Sequence, residues 1–314
     1  MVTGILAGLT WAFETVLMGI ALSMAPFLST QQAIMIAPFA ATFLHDAFSA
    51  VVLLVYNGVR GNLKEFSKLF KSKDLKWLVL ASAIGGPVGM TGYVMAVNYM
   101  GASIGAVASA VYPAIGTVLA FVFLKEKVRW YQWIFLAMTL LGVYGLSYSP
   151  NMAVDNFWLG LLGAFMCAFG WGTEAVILAK CLKDPAIVES CALNLRQAVS
   201  ALIYGCMILP ILGGWEFIPT LFALDGADVL PVIGASALFA SVSYLFYYNA
   251  IAKIGASKAM ALNITYTAWA IILTVILFRD MRILNPLTIL CTLAVVICGI
   301  LAACDLTKLF CKKA

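Results

Sequence analysis

Charge is what this sequence has least of. Only 11% of its 314 residues are Asp, Glu, Lys or Arg, against about 25% in an average soluble domain. Hydrophobic residues make up 64%, and the mean hydropathy is +1.02. So little polar surface does not cover a water-soluble globule of this size, so lipid must cover the rest. Histidine is nearly missing too. His45 stands alone, and a metal or catalytic site would need partners that it lacks; a hydrogen-bonded structural role or a proton relay is left. The eight cysteines, at 167, 181, 191, 206, 291, 298, 304 and 311, form no CxxC pair. That argues against a disulfide framework or a zinc site and suits small buried hydrophobes. There is no G-x-x-x-x-G-K-[ST] run, so ATP drive within the chain is not expected. A His-rich catalytic motif and a nucleophile elbow are missing as well. The chain therefore reads as a non-enzyme that needs no metal or cofactor. The first apolar stretch lacks a basic leader and an A-x-A site, so no cleavable signal peptide is expected.

What is present is a series of long apolar runs. A hydrocarbon core about 30 Å thick needs roughly 20 apolar residues per helix. Ten segments qualify, at 3–23, 32–58, 76–99, 102–124, 130–148, 157–180, 187–212, 228–252, 257–278 and 285–305. The predicted fold is an all-α membrane protein with short connections and no room for a soluble domain. The cations lie between the runs. With the N-terminus in the cytoplasm, 16 of the 19 Lys and Arg residues fall inside, namely Arg60, Lys64, Lys68, Lys71, Lys73, Lys76, Lys125, Lys127, Arg129, Lys180, Lys183, Lys253, Lys258, Lys308, Lys312 and Lys313. Outside lie Arg279 and Arg282, with Asp280 between them. The positive-inside rule then places both termini in the cytoplasm. The lysine-rich stretch from Arg60 to Lys76 reads as a cytoplasmic loop and not as a nucleic-acid surface.

The second half echoes the first. Leu9-Thr-Trp-Ala-Phe-Glu-Thr-Val-Leu resembles Phe169-Gly-Trp-Gly-Thr-Glu-Ala-Val-Ile, which pairs Trp11 with Trp171 and Glu14 with Glu174. Leu44-His-Asp-Ala-Phe-Ser-Ala resembles Leu195-Arg-Gln-Ala-Val-Ser-Ala. Gly101-Ala-Ser, Tyr112 and Phe123-Leu-Lys-Glu recur as Gly255-Ala-Ser, Tyr266 and Leu277-Phe-Arg-Asp. Each half, 1–150 and 151–314, holds five segments. Five is odd, so the second half enters the membrane from the opposite side. Such an inverted repeat is a common plan for secondary transporters, with substrate near the midplane between the halves.

Ten helices, paired Trp-bearing helices one and six, and Gly-Ala-Ser segments opening helices four and nine resemble the drug/metabolite transporter superfamily. Within it, His45-Asp46, Gly86-Pro-Val-Gly-Met90, Ala110-Val-Tyr-Pro-Ala-Ile115, Trp171-Gly-Thr-Glu174, Leu195-Arg-Gln197 and Ser243-Tyr-Leu-Phe-Tyr-Tyr248 are similar to the LicB-type bacterial choline permeases. The resemblance implies import of choline by alternating access across a bacterial inner membrane. The partners it implies are a small-molecule substrate and the bilayer, with the chain a monomer or a homodimer. The other transport reading is a broad-specificity exporter of amino acids, metabolites or amphipathic cations.

Choline is a permanent cation with no N–H to donate, so its ammonium is best held by aromatic faces, each contributing roughly 0.5–2 kcal/mol. Tyr244, Tyr247 and Tyr248 share one helix face, as do Tyr266 and Trp269. Trp11, Trp171, Tyr93, Tyr112 and Met90 come from the other helices that the resemblance brings to the cavity. Aromatics at this spacing also pack between helices or mark the membrane interface. Trp77, Trp130, Trp133 and Trp158, at predicted helix ends, read as interface anchors. Glu14, Asp46, Glu174 and Arg196 fall inside apolar spans, where an ionisable group costs at least about 2.5–3.5 kcal/mol. Two readings stay open for them. Arg196 pairs internally with Asp46 or Glu174, or else Glu174 or Asp46 attracts the cation or exchanges a proton in coupling. Glu174, one turn after Trp171, is the first choice, and Glu14 is related to it by the repeat. Asp46 is expected to project from a different face than His45. Gly85-Gly-Pro-Val-Gly89 should kink helix three, and Pro113 should lie inside helix four.

Overall fold

The computed structural model describes residues 1–147, 156–223, 226, 228–279 and 281–306, with the backbone alone at 101–106, 108 and 109. The expected half boundary at 150/151, Asp280, Lys308, Cys311, Lys312 and Lys313 lie outside the described residues, as do the side chains of the Gly101-Ala-Ser segment.

Apolar runs of this length have one cheap solution in lipid, because a helix satisfies every backbone N–H and C=O internally. The described residues accordingly fold into helices, and no strand occurs among them. In chain order these are α1 (Val2–Leu22), α2 (Gln31–Val59), α3 (Leu63–Lys71), α4 (Leu75–Ala83), α5 (Gly89–Ala110), α6 (Tyr112–Phe123) and α7 (Trp130–Ser147), then α8 (Phe157–Cys181), α9 (Glu189–Ile203), α10 (Leu209–Ile211), α11 (Val229–Ile254), α12 (Ala256–Asn263), α13 (Tyr266–Phe278) and α14 (Pro286–Ala303). Local sequence sets several ends. Thr30, Asn156 and Asn285 cap α2, α8 and α14 with side-chain oxygens that accept the N–H of Ala33, Leu159 and Thr288. Gly255, at φ 87°, separates α11 from α12, a conformation that costs glycine little.

By length and composition, eight helical stretches among the described residues are apolar enough to cross a membrane. Two of the ten expected segments fall short of that measure: α6, with 12 residues, and α7. The break expected between helices three and four, at 99–102, is not where the chain breaks. α5 runs on to Ala110, and the interruption comes at Val111. Pro113 therefore lies in the first turn of a new helix, where its missing N–H costs nothing. α12 and α13 are interrupted in the same way at Ile264–Thr265, so Tyr112 and Tyr266 each open the helix that follows a break. The Gly85–Gly89 run does distort its helix: Ile84–Val88 forms one π turn between α4 and α5. A second π turn, Tyr204–Ile208, joins α9 to α10.

Several packing pairs have a counterpart elsewhere in the chain. α1 packs on α11 as α8 packs on α5, and α1 crosses the α12–α13 break as α8 crosses onto α6. α2 pairs with α9, and α7 with α14. Close approach depends on glycine. A Cβ on Gly92 would meet the carbonyl of Gly163 at 2.6 Å, and the converse holds, the small-residue contact by which helices associate in lipid.

Candidate functional site

Between α1, α6, α8, α11 and the α12–α13 break lies a cavity of about 550 Å³ of atom-free space, counting its open mouth. Trp11, Tyr112, Trp171, Tyr244, Tyr247, Tyr248 and Tyr266 line it, with Glu174, Ala175, Ser243 and Asn263. The rings brace one another. Trp11 meets Tyr244 edge-on at 4.7 Å between centroids and Tyr266 at 6.4 Å. Trp171 meets Tyr112 edge-on at 5.9 Å, and Tyr244 meets Tyr248 at 6.4 Å. These arrangements leave ring faces for a ligand and are favoured by the ring quadrupoles.

Local sequence explains the wall. Tyr244, Tyr247 and Tyr248 share one face of α11, and Ser243 holds that face to α1 by donating to the Ala7 carbonyl at 2.7 Å. The α12–α13 break brings Asn263 and Tyr266 to the cavity together, and Asn263 Nδ2 donates to the Tyr112 hydroxyl at 3.1 Å. On the other side, the π turn frees the Gly85 carbonyl to accept the Trp171 indole N–H at 2.8 Å. Gly85 also makes room for Glu174, whose carboxylate a Cβ there would strike.

Beside the cavity runs a chain of buried charges. Arg196 Nε donates to Glu174 Oε1 at 3.0 Å, and its Nη1 lies 3.7 Å from Asp46 Oδ2 and donates to Gln197 Oε1 at 2.5 Å. Asp46 Oδ1 is 2.9 Å from His45 Nδ1, and His45 Nε2 is 3.7 Å from Glu14 Oε1. All five ionisable groups are buried. The guanidinium also sits 5.0 Å from the centre of the Tyr244 ring, which lines the cavity. Arg196 thus joins two carboxylates at once, where the sequence left a choice between them. The expectation that His45 and Asp46 project apart is overturned: Arg196 reaches only Oδ2 of Asp46, and turning the neighbouring side chains toward each other costs less than leaving Oδ1 and His45 Nδ1 buried and unpaired.

Eight of the sequence-named binding residues line the cavity: Trp11, Tyr112, Trp171, Glu174, Tyr244, Tyr247, Tyr248 and Tyr266. Four do not. Asp46 is engaged in the charge chain. Tyr93 stacks behind Trp171 at 6.2 Å. Met90 lies next to the π turn, half-buried. Trp269 is half-buried with its Nε1 unpaired. Sequence reasoning missed Ser243, Ala175 and Asn263. Asn263 had a signal: it is the one amide side chain in the apolar run of α12 and α13, three residues before Tyr266.

Comparison with known proteins agrees with this architecture. The model of the EamA-like transporter family matches residues 1–148. A similarity to one curated protein spans more of the chain. The relative is the protein LicB of Haemophilus influenzae, 28% identical over 214 residues, which span 68% of this chain and 70% of LicB. A crystal structure of another protein superposes with a TM-score of 0.75 over 98% of this chain and 97% of that one, at 17% identity. That likeness concerns the fold.

Proposed function

We propose that the protein imports choline or a similar quaternary ammonium ion by alternating access, holding the cation in the aromatic cavity. One observation carries the reading. Seven of the eleven lining residues are aromatic, and the one acidic residue among them, Glu174, already has Oε1 bound to Arg196. A primary amine, with three N–H donors, needs a cluster of unpaired acceptors, whereas the buried unpaired oxygens of this lining are Asn263 Oδ1 and the Tyr248 hydroxyl. A quaternary ammonium needs ring faces, and faces are what this wall offers. The motif resemblance to the LicB-type choline permeases points the same way.

The matching packing pairs and the paired breaks before Tyr112 and Tyr266 support ten helices arranged as two inverted five-helix repeats, 1–150 and 151–314, with both termini cytoplasmic. In a bacterial inner membrane the potential favours cation entry by about 2.3 kcal/mol per charge per 100 mV. The test is uptake of radiolabelled choline into proteoliposomes under an imposed inside-negative potential and at varied pH, with ethanolamine and arginine as competitors. Saturable uptake that quaternary analogues block and the primary amines do not is the expected result. Absence of choline entry would overturn the choline reading and favour a broad exporter of amino acids, metabolites or amphipathic cations.

A further inference from the structure

The connection between α2 and α4, read from the sequence as a cytoplasmic loop, carries a helix of its own. Residues Leu63–Lys71 form a helix, α3, tied by three-residue links to long apolar helices on either side. Links that short hold α3 at the end of the two spans. Its circumference is graded. Leu69 is fully buried and Phe66 packs against the core. Next to them Leu63 and Phe70 are more than half exposed. Beyond these lie Lys64, Lys68 and Lys71, one stripe at i, i+4 and i+7. Lys68 is held by Glu65 at 2.8 Å; Lys64 and Lys71 are exposed, with Arg60, Lys73 and Lys76 close in sequence. A neighbouring side chain marks the same level: Trp77, 39% exposed, has the ammonium groups of Lys76 and Lys180 at 5.7 and 5.5 Å from its ring, the amphipathic belt of a membrane–water interface.

Resting on the reading of this end of the bundle as cytoplasmic, we propose that α3 docks on the anionic phospholipid headgroups of its own leaflet, Leu63 and Phe70 entering the acyl boundary and the Lys64–Lys71 stripe meeting the phosphates. Charge complementarity selects this occupant: a lysine stripe beside an exposed apolar flank matches an anionic lipid surface. The docking reaches the second half of the chain. Asn62, at the start of α3, donates to Ser190 Oγ at 3.3 Å, and Asn57 and Ser190 hydrogen-bond to each other. Ser72, at its end, donates to Asp184 at 3.3 Å. A lipid hold on α3 is therefore a hold on the start of α9.

The test is hydrogen exchange of the full chain in nanodiscs of phosphatidylcholine with and without phosphatidylglycerol. In wild type, amides of 63–71 should exchange severalfold more slowly when phosphatidylglycerol is present, and high salt should remove the difference. The K64Q/K71Q variant should lose the response, while K64R/K71R keeps it. Equal exchange in the two lipids, or an unchanged response in K64Q/K71Q, would overturn the proposal. Exchange does not depend on what the protein carries, so a wrong substrate leaves this result standing.

Discussion

The cavity wall and the charge chain behind it share Glu174 and Tyr244, yet they handle charge in opposite ways. The wall presents neutral ring faces to an open cavity. The chain buries Glu14, His45, Asp46, Glu174 and Arg196 and pairs them with one another. The difference teaches how formal charge is kept beside an aromatic wall. A free carboxylate in the wall would cost desolvation whenever the cavity stood empty. Paired to Arg196, Glu174 recovers part of that cost, while the guanidinium, 5.0 Å from the Tyr244 ring, offsets much of the field the carboxylate would send into the cavity.

Several substitutions sharpen or break this division. The largest effect is expected from Arg196→Met, which leaves Glu174 and Asp46 buried without their shared partner. Loss of one member of a buried pair costs about 3–5 kcal/mol, so the melting temperature in detergent should fall by many degrees; an unshifted transition would show that the chain carries little stability. Gly85→Ala should come next, since its methyl meets the Glu174 carboxylate, and overpacking of this kind costs about 1–3 kcal/mol. Thermal unfolding measures it, and rescue by Glu174→Ala in the double variant would locate the clash. On the cavity side, Trp171→Ala and Tyr247→Ala should each weaken choline binding while the fold persists. One cation–π contact of roughly 0.5–2 kcal/mol predicts a loss of about two- to thirtyfold, read by calorimetric titration. Unchanged affinity in both would remove the aromatic wall from recognition. Trp269→Phe is the smallest case. Its indole is outside the wall and its N–H makes no bond, so affinity and uptake should stay at wild-type values.

Much of the architecture was legible because the bilayer imposes it. The α1, α2, α8 and α14 ends differ from the predicted spans by only a few residues, since hydrocarbon thickness sets apolar length. The aromatic wall was legible where spacing or the repeat pointed to it, as with Tyr244, Tyr247 and Tyr248 or the Trp11–Trp171 pair. Three things were not. The Val111 break depends on α8 crossing so closely that a Cβ on Gly172 would meet the Tyr112 carbonyl at 3.0 Å, a tertiary contact that no local pattern announces. His45 and Asp46 meet because burial leaves Oδ1 of Asp46, the oxygen away from Arg196, and His45 Nδ1 to pair with each other. α3 hid among lysines, although Leu63, Phe66, Leu69 and Phe70 carry a helical period within it.

The π turn at Ile84–Val88 has a consequence for descent with insertion and deletion. A π turn accommodates one residue more than the α ladder would. Removing a single residue inside it would restore the plain ladder and leave the downstream face where it is, whereas removing one from the regular turns at the start of α5 would rotate everything after it by about 100°, given 3.6 residues per turn. The second deletion, made before Gly92, would swing Tyr93 away from Trp171 and Gly92 from Gly163. Length is thus under looser constraint at Ile84–Val88 than in the ladder beside it, and what a deletion inside the turn would forfeit is the Gly85 carbonyl that accepts from Trp171.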